Sequence, residues 1–151
     1  MRKMSKKVTA VLLSMMMVFT LTISNASAKT VSGYYLISAV STTYFKKKGR
    51  TLTVKTKKAN PISYVKTNDY GKAKKTVRNK KFKLSKTCKY YLSSIGSGNK
   101  LYDFKSMKKK TSYSAIKKHI KDVHSLKDGS NFGVVFVVKK GTVTKVVMVS
   151  A

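Results

Sequence analysis

The chain has 151 residues, of which 34 are lysine or arginine and 4 are acidic, for a formal net charge of +30. That length, less a leader, holds one domain with a modest hydrophobic core and is too short for two comfortable ones. The charge excludes an acidic or balanced surface and makes polyanions the natural partners, and a single cysteine, Cys88, excludes an internal disulfide.

Residues 1–28 have the three zones of a cleavable signal peptide. Met1 to Lys7 carries Arg2, Lys3, Lys6 and Lys7; Val8 to Ile23 is uncharged and apolar; Ser24-Asn25-Ala26-Ser27-Ala28 has small residues where an A-x-A site needs them. The apolar stretch is short for a stable anchor across about 30 Å of hydrocarbon. Cleavage after Ala28 leaves residues 29–151 as a single basic β-rich domain, secreted and open to retention at a cell wall by charge. Its net charge is +26, the precursor's +30 less the 4 positive charges of the leader.

The first expected strand is Gly33 to Val40, rich in aromatic and β-branched residues. Thr42 to Arg50 reads as a turn. Thr51 to Lys57 alternates, with Leu52 and Val54 on one face and Thr53, Lys55 and Lys57 on the other, so that it is expected to form a hairpin with the first strand. Asn60-Pro61 breaks the pattern, and Lys66 to Asn79 reads as an exposed connection. Lys80 to Leu84 restarts a strand with Phe82 and Leu84 inward and Lys81 and Lys83 outward. After a break at Ser85-Lys86-Thr87, Cys88 to Leu92 continues in extended form, and Ser93 to Lys100 reads as a loop.

One helix is expected, capped by the hydroxyl of Thr111 or Ser112. Ile116, Ile120 and Val123, with Ala115, His119 and Leu126 beside them, form its apolar stripe, Lys117, Lys118 and Lys121 point away, and Gly129 ends it. The last strands are Asn131 to Val138 and Thr142 to Ser150. Phe132, Val134, Phe136 and Val138 share one face and Val135 and Val137 the other, so this strand is expected to be covered on both sides, with the helix as cover. The fold class is therefore mainly β with one helix: a small antiparallel twisted sheet or a partly open barrel.

Lys81-Phe82-Lys83-Leu84-Ser85-Lys86-Thr87-Cys88-Lys89-Tyr90-Tyr91-Leu92, then the helix, then a terminal hairpin with Gly141-Thr142-Val143-Thr144-Lys145-Val146, resembles small exported bacterial β-barrel domains of unknown function. The resemblance covers roughly residues 50 to 150 and implies an OB-like or SH3-like barrel. It implies no activity, because such folds host many. The lysine content and the segment from Lys66 to Asn79 depart from that pattern.

Residue type and spacing bear on several chemistries. Cys88 with His119 or His124 would be the start of a thiol enzyme, but no signature of one surrounds Cys88. His119 and His124 point about 140° apart on a helix, so no metal is expected; nor is any cofactor. The aspartates Asp69, Asp103, Asp122 and Asp128 have no context of a carboxylate pair, and Gly96-Ser97-Gly98 is too short for a phosphate loop. Polyanion binding is the positive expectation, carried by Lys46, Lys47, Lys48, Arg50, Lys81, Lys83, Lys108, Lys109, Lys110, Lys117, Lys118 and Lys121. With 28 lysines and only Arg50 and Arg78 after the leader, the charge suits diffuse attraction to phosphate rather than bidentate recognition. The expected partner is an anionic polymer such as wall teichoic acid, an anionic lipid surface or nucleic acid. For nucleic acid, Tyr34, Tyr35, Tyr90 or Tyr91 would be the stacking platforms. Membrane attack by the cationic helix is a further alternative, though that helix is short for it.

Overall fold

The computed structural model describes residues 30–124 and 132–150, and of Lys108 the backbone alone. The proposed leader, and Leu126, Gly129 and Asn131 around the helix end, lie outside the described residues. Among the described residues the strands are β1 (Gly33–Ser38), β2 (Thr42–Lys48), β3 (Thr51–Thr56), β4 (Ile62–Val65), β5 (Lys74–Val77), β6 (Asn79–Ser94), β7 (Gly133–Lys139) and β8 (Thr142–Ser150), with one α-helix, α1 (Tyr113–His124). They form one sheet in the order β2-β3-β6-β8-β7-β1-β4-β5.

Ring contacts reveal the shape of that sheet. β1 and β6 are three strands apart, which on a flat sheet would be about 14 Å, yet the rings of Tyr35 and Phe82 are 5.3 Å apart. β2 and β7 are four strands apart, yet Phe45 lies 6.4 Å from Phe136. The sheet is therefore strongly curled into an open half-barrel, and these rings fill its inside. A large bulge assists the curl. Between Leu84 and Lys89, β6 advances five residues while β8 advances only from Val143 to Lys145, and such excess on one strand bends it.

Alternation then separates two cores. Tyr35, Ile37, Leu52, Val54, Phe82, Leu84, Phe136 and Val146 point inward, where Ile116, Ile120 and Val123 of α1 cover them. Val135, Val137, Val147 and Val149 point outward, where Leu101, Tyr102 and Met107 cover them. The two-sided covering expected for β7 is thus present, but α1 supplies only one cover. The other is the stretch between β6 and α1, which has little regular structure. Asn68 holds that stretch in place: its amide oxygen accepts the N–H of Leu101 at 3.1 Å and its amide nitrogen donates to the Tyr102 carbonyl at 3.2 Å. At the helix start, Ser112 Oγ accepts the N–H of Ala115 at 3.1 Å, the expected cap.

Several expectations are corrected. Thr42 to Arg50 is a strand and a tight turn at Gly49 (φ 56°); with only Phe45 of its second half facing the core, its alternation is hidden among lysines. β3 accordingly pairs with β2, and β1 pairs with β7 and β4, so no hairpin joins β1 to β3. The sheet is mixed rather than antiparallel, because β8 lies parallel to β6. Ser85 to Thr87 does not end the strand, since β6 runs through it to Ser94, but the expected break is present as the bulge that interrupts its pairing with β8 there. Between Lys66 and Asn79, exposed as expected, the chain also forms the edge strand β5 and a short 3-10 turn at Tyr70–Lys72. Ala115 is exposed and belongs to no apolar stripe. No described helix is long and apolar enough to cross a membrane.

Candidate anion-binding surface

β2 is one edge of the sheet, and the register around it arranges the lysines. Lys46 is opposite Thr53 and Thr53 is opposite Lys81; Lys48 is opposite Thr51 and Thr51 is opposite Lys83. Leu52, Val54, Phe82 and Leu84 fill the inside, so these alternate residues stand on the outer face. The result is two rows of Lys-Thr-Lys, with lysines about 10 Å apart within a row and rows about 7 Å apart. The intervening threonines keep like charges from sitting directly opposite one another, which would be destabilising. Beside the rows, Lys55 Nζ stands 5.4 Å from the ring centre of Tyr44.

The other side of β2 is built differently. Tyr113, at the start of α1, stacks on Phe45 with centroids 5.7 Å apart. Its hydroxyl accepts the N–H of Lys47 at 2.9 Å and donates to the carbonyl of Phe45 at 3.3 Å. It thus occupies two of the backbone groups that a further strand would pair with. Lys47 Nζ lies 5.7 Å from the Tyr113 ring centre. Between β2 and α1 runs an open groove of about 770 Å³, lined by Tyr44, Phe45 and Tyr113 and by Lys117, Lys118 and Lys121. Lys118 is paired with Asp122 at 2.8 Å.

The structure therefore brings Lys46, Lys48, Lys81 and Lys83 together on one face of the β2 edge, and Lys47, Lys117, Lys118 and Lys121 on the other. It does not bring Lys109 and Lys110 to them. Those two run beside the second half of β6, where Lys109 accepts from Leu92 and Lys110 bridges Tyr91, about 20 Å along the strand from Lys81 and Lys83. Arg50 is tied to the sheet, its Nε donating to the Leu84 carbonyl at 3.1 Å. The side chain of Lys108 lies outside the described residues.

The tyrosines singled out for stacking are corrected. Tyr35 is buried, and Tyr34, Tyr90 and Tyr91 are half-buried against the two cores. Among the described residues the large exposed aromatics are Tyr44, Tyr70 and Phe104, of which Tyr44 lies at the lysine cluster. Its outward position on an edge strand is the available signal, hidden because the lysine-rich segment from Thr42 to Arg50 reads as a turn. Lys80 was also missed: parity with Phe82 points it inward, where its Nζ lies 5.0 Å from the Tyr35 ring centre, and burial lowers its pKa.

The acidic groups in the described residues serve local structure. Asp69 Oδ1 accepts the N–H of Gly71, and Asp103 accepts those of Lys105 and Ser106. No group of three metal-ligating side chains occurs among the described residues. Cys88 is half-buried at the rim of the inner core, and burial pushes its thiol pKa up to about 11 despite the lowering influence of Lys47 and of a hydrogen bond with Tyr90. At neutral pH it is a thiol rather than a nucleophilic thiolate. His119 stands edge-on to Phe132 at 5.2 Å. Comparison with family models, curated proteins and solved structures finds no match for this chain.

Proposed function

We propose that this protein is a secreted cationic binding module that associates with an anionic polymer of the cell envelope or its surroundings along the β2 edge. The observation that carries the proposal is the gathering of lysines on both faces of one edge strand, with the described aspartates, apart from the helix pair at Lys118, engaged elsewhere. A linear polyanion crossing that edge would meet the outer Lys-Thr-Lys rows and then the groove against α1. Lysine ammonium groups attract phosphate without demanding a fixed geometry, which suits a flexible phosphodiester polymer such as a wall teichoic acid. An exported barrel of the OB-like or SH3-like kind is the fold reading that accompanies this proposal.

The test is retention of the protein on poly(glycerol phosphate), anionic vesicles and single-stranded DNA as salt is raised, with Lys46, Lys48, Lys81 and Lys83 changed to Gln in a second sample. Retention of one polymer at about 0.15 M salt, lost in the variant, supports the proposal. Equal loss of all three, unaffected by the substitutions, overturns it.

A further inference from the structure

A second groove lies toward the opposite end of the sheet order from β2, on the β1 and β4 side, and takes no part in the proposed function. Its volume is about 720 Å³, within the range of small-ligand sites. We infer that this groove binds a saccharide unit bearing a negative charge.

Three features combine in it. The first is a ring presented to solvent on a fixed support. Tyr70 is 64% exposed, yet the chain around it is tightly held. Its N–H donates to the carbonyl of Asn99, Gly71 donates to Asp69 Oδ1 at 3.1 Å, and Asn68 ties the next loop down through Leu101 and Tyr102. A Cβ at Gly71 would come within 3.3 Å of the Asn99 amide, so the two loops are in close contact. A tyrosine held in this way offers a rigid amphipathic surface at low entropic cost.

The second feature is a mixed lining. Leu36 and Val149 give it an apolar floor, while Asn60, Ser63 and Asn99 supply amide and hydroxyl groups. A sugar ring has an apolar C–H face and a periphery of hydroxyls, and can use both parts of such a lining. An acyl chain would use the apolar part alone and leave these amide and hydroxyl groups without partners. The third feature is charge: among the described residues of the lining, the ionisable side chains besides Tyr70 are Lys75 and Lys100, with no carboxylate beside them. A carboxylate or phosphate on the sugar would be favoured there.

Calorimetry and NMR titration of the purified protein with hyaluronan octasaccharide, neutral chitohexaose, sugar-free polyphosphate and laurate would test this. Hyaluronan is expected to bind more tightly than chitohexaose. Tyr70→Ala, and separately Lys75→Gln with Lys100→Gln, should weaken it about tenfold, with shift changes at Asn60 and Asn99. Polyphosphate binding should be indifferent to Tyr70→Ala, since it reports on the β2 edge. Unaltered hyaluronan binding by the Tyr70 variant, laurate binding in place of sugar, or no saccharide binding at all would each overturn the inference. Polyphosphate binding decides separately whether the β2 reading stands.

Discussion

Tyr113 shows how much one side chain can decide at a sheet edge. An edge strand displays backbone groups that invite another chain to pair with it, and here one hydroxyl engages two of them while the ring stacks on Phe45. Tyr113→Phe keeps the stack and removes the hydroxyl. It should cost about 1 kcal/mol in urea unfolding and produce concentration-dependent self-association by size-exclusion chromatography. Cys88 gives a second prediction. Its pKa is held at about 11, above its ordinary value of 9.0, and Tyr90 is raised to about 12. In both cases the unfolded chain loses its proton first as pH rises. Stability is therefore full below pH 9 and should fall from there upward, first through Cys88 and then, above pH 10, through the tyrosines. In Cys88→Ala the onset of that fall, followed by thermal melting between pH 8 and pH 11, should move upward.

At the scale of elements, the stretch between β6 and α1 is structurally as important as the helix. Tyr102 is 2% exposed and belongs to the outer core, whereas its neighbour Phe104 is 60% exposed. Tyr102→Ala should cost about 3 kcal/mol or more by chemical denaturation, and Phe104→Ala less than about 1 kcal/mol. Ser112→Ala should cost about 1 kcal/mol through loss of the helix cap. The helix, its cap and the faces of β3, β6 and β7 are legible in the sequence because each repeats at its own period. The covering stretch is not, because Leu101, Tyr102 and Met107 follow no period. β2 is hidden for a different reason: a lysine-rich edge strand has few inward positions to betray it. The lysines of the candidate surface can be named from the sequence, but their grouping depends on which strands become neighbours, and nothing local encodes that Lys46 and Lys81 share a row.

For the whole molecule, the imbalance between 34 basic and 4 acidic residues means that folding concentrates like charge. Added salt screens that repulsion, with a Debye length of about 10 Å at 0.1 M. The melting temperature is thus expected to rise by about 5 °C between low salt and 0.5 M sodium chloride, against the small change of a charge-balanced domain. The same salt should weaken polyanion binding, so stability and retention should respond in opposite directions. The position of β8 has a consequence for timing. Residues 142–150 pair with β6 on one side and β7 on the other, so they join a half begun by β3 and β6 to a half begun by β1 and β4. Until they leave the ribosome, neither half has its central partner and the sheet cannot close.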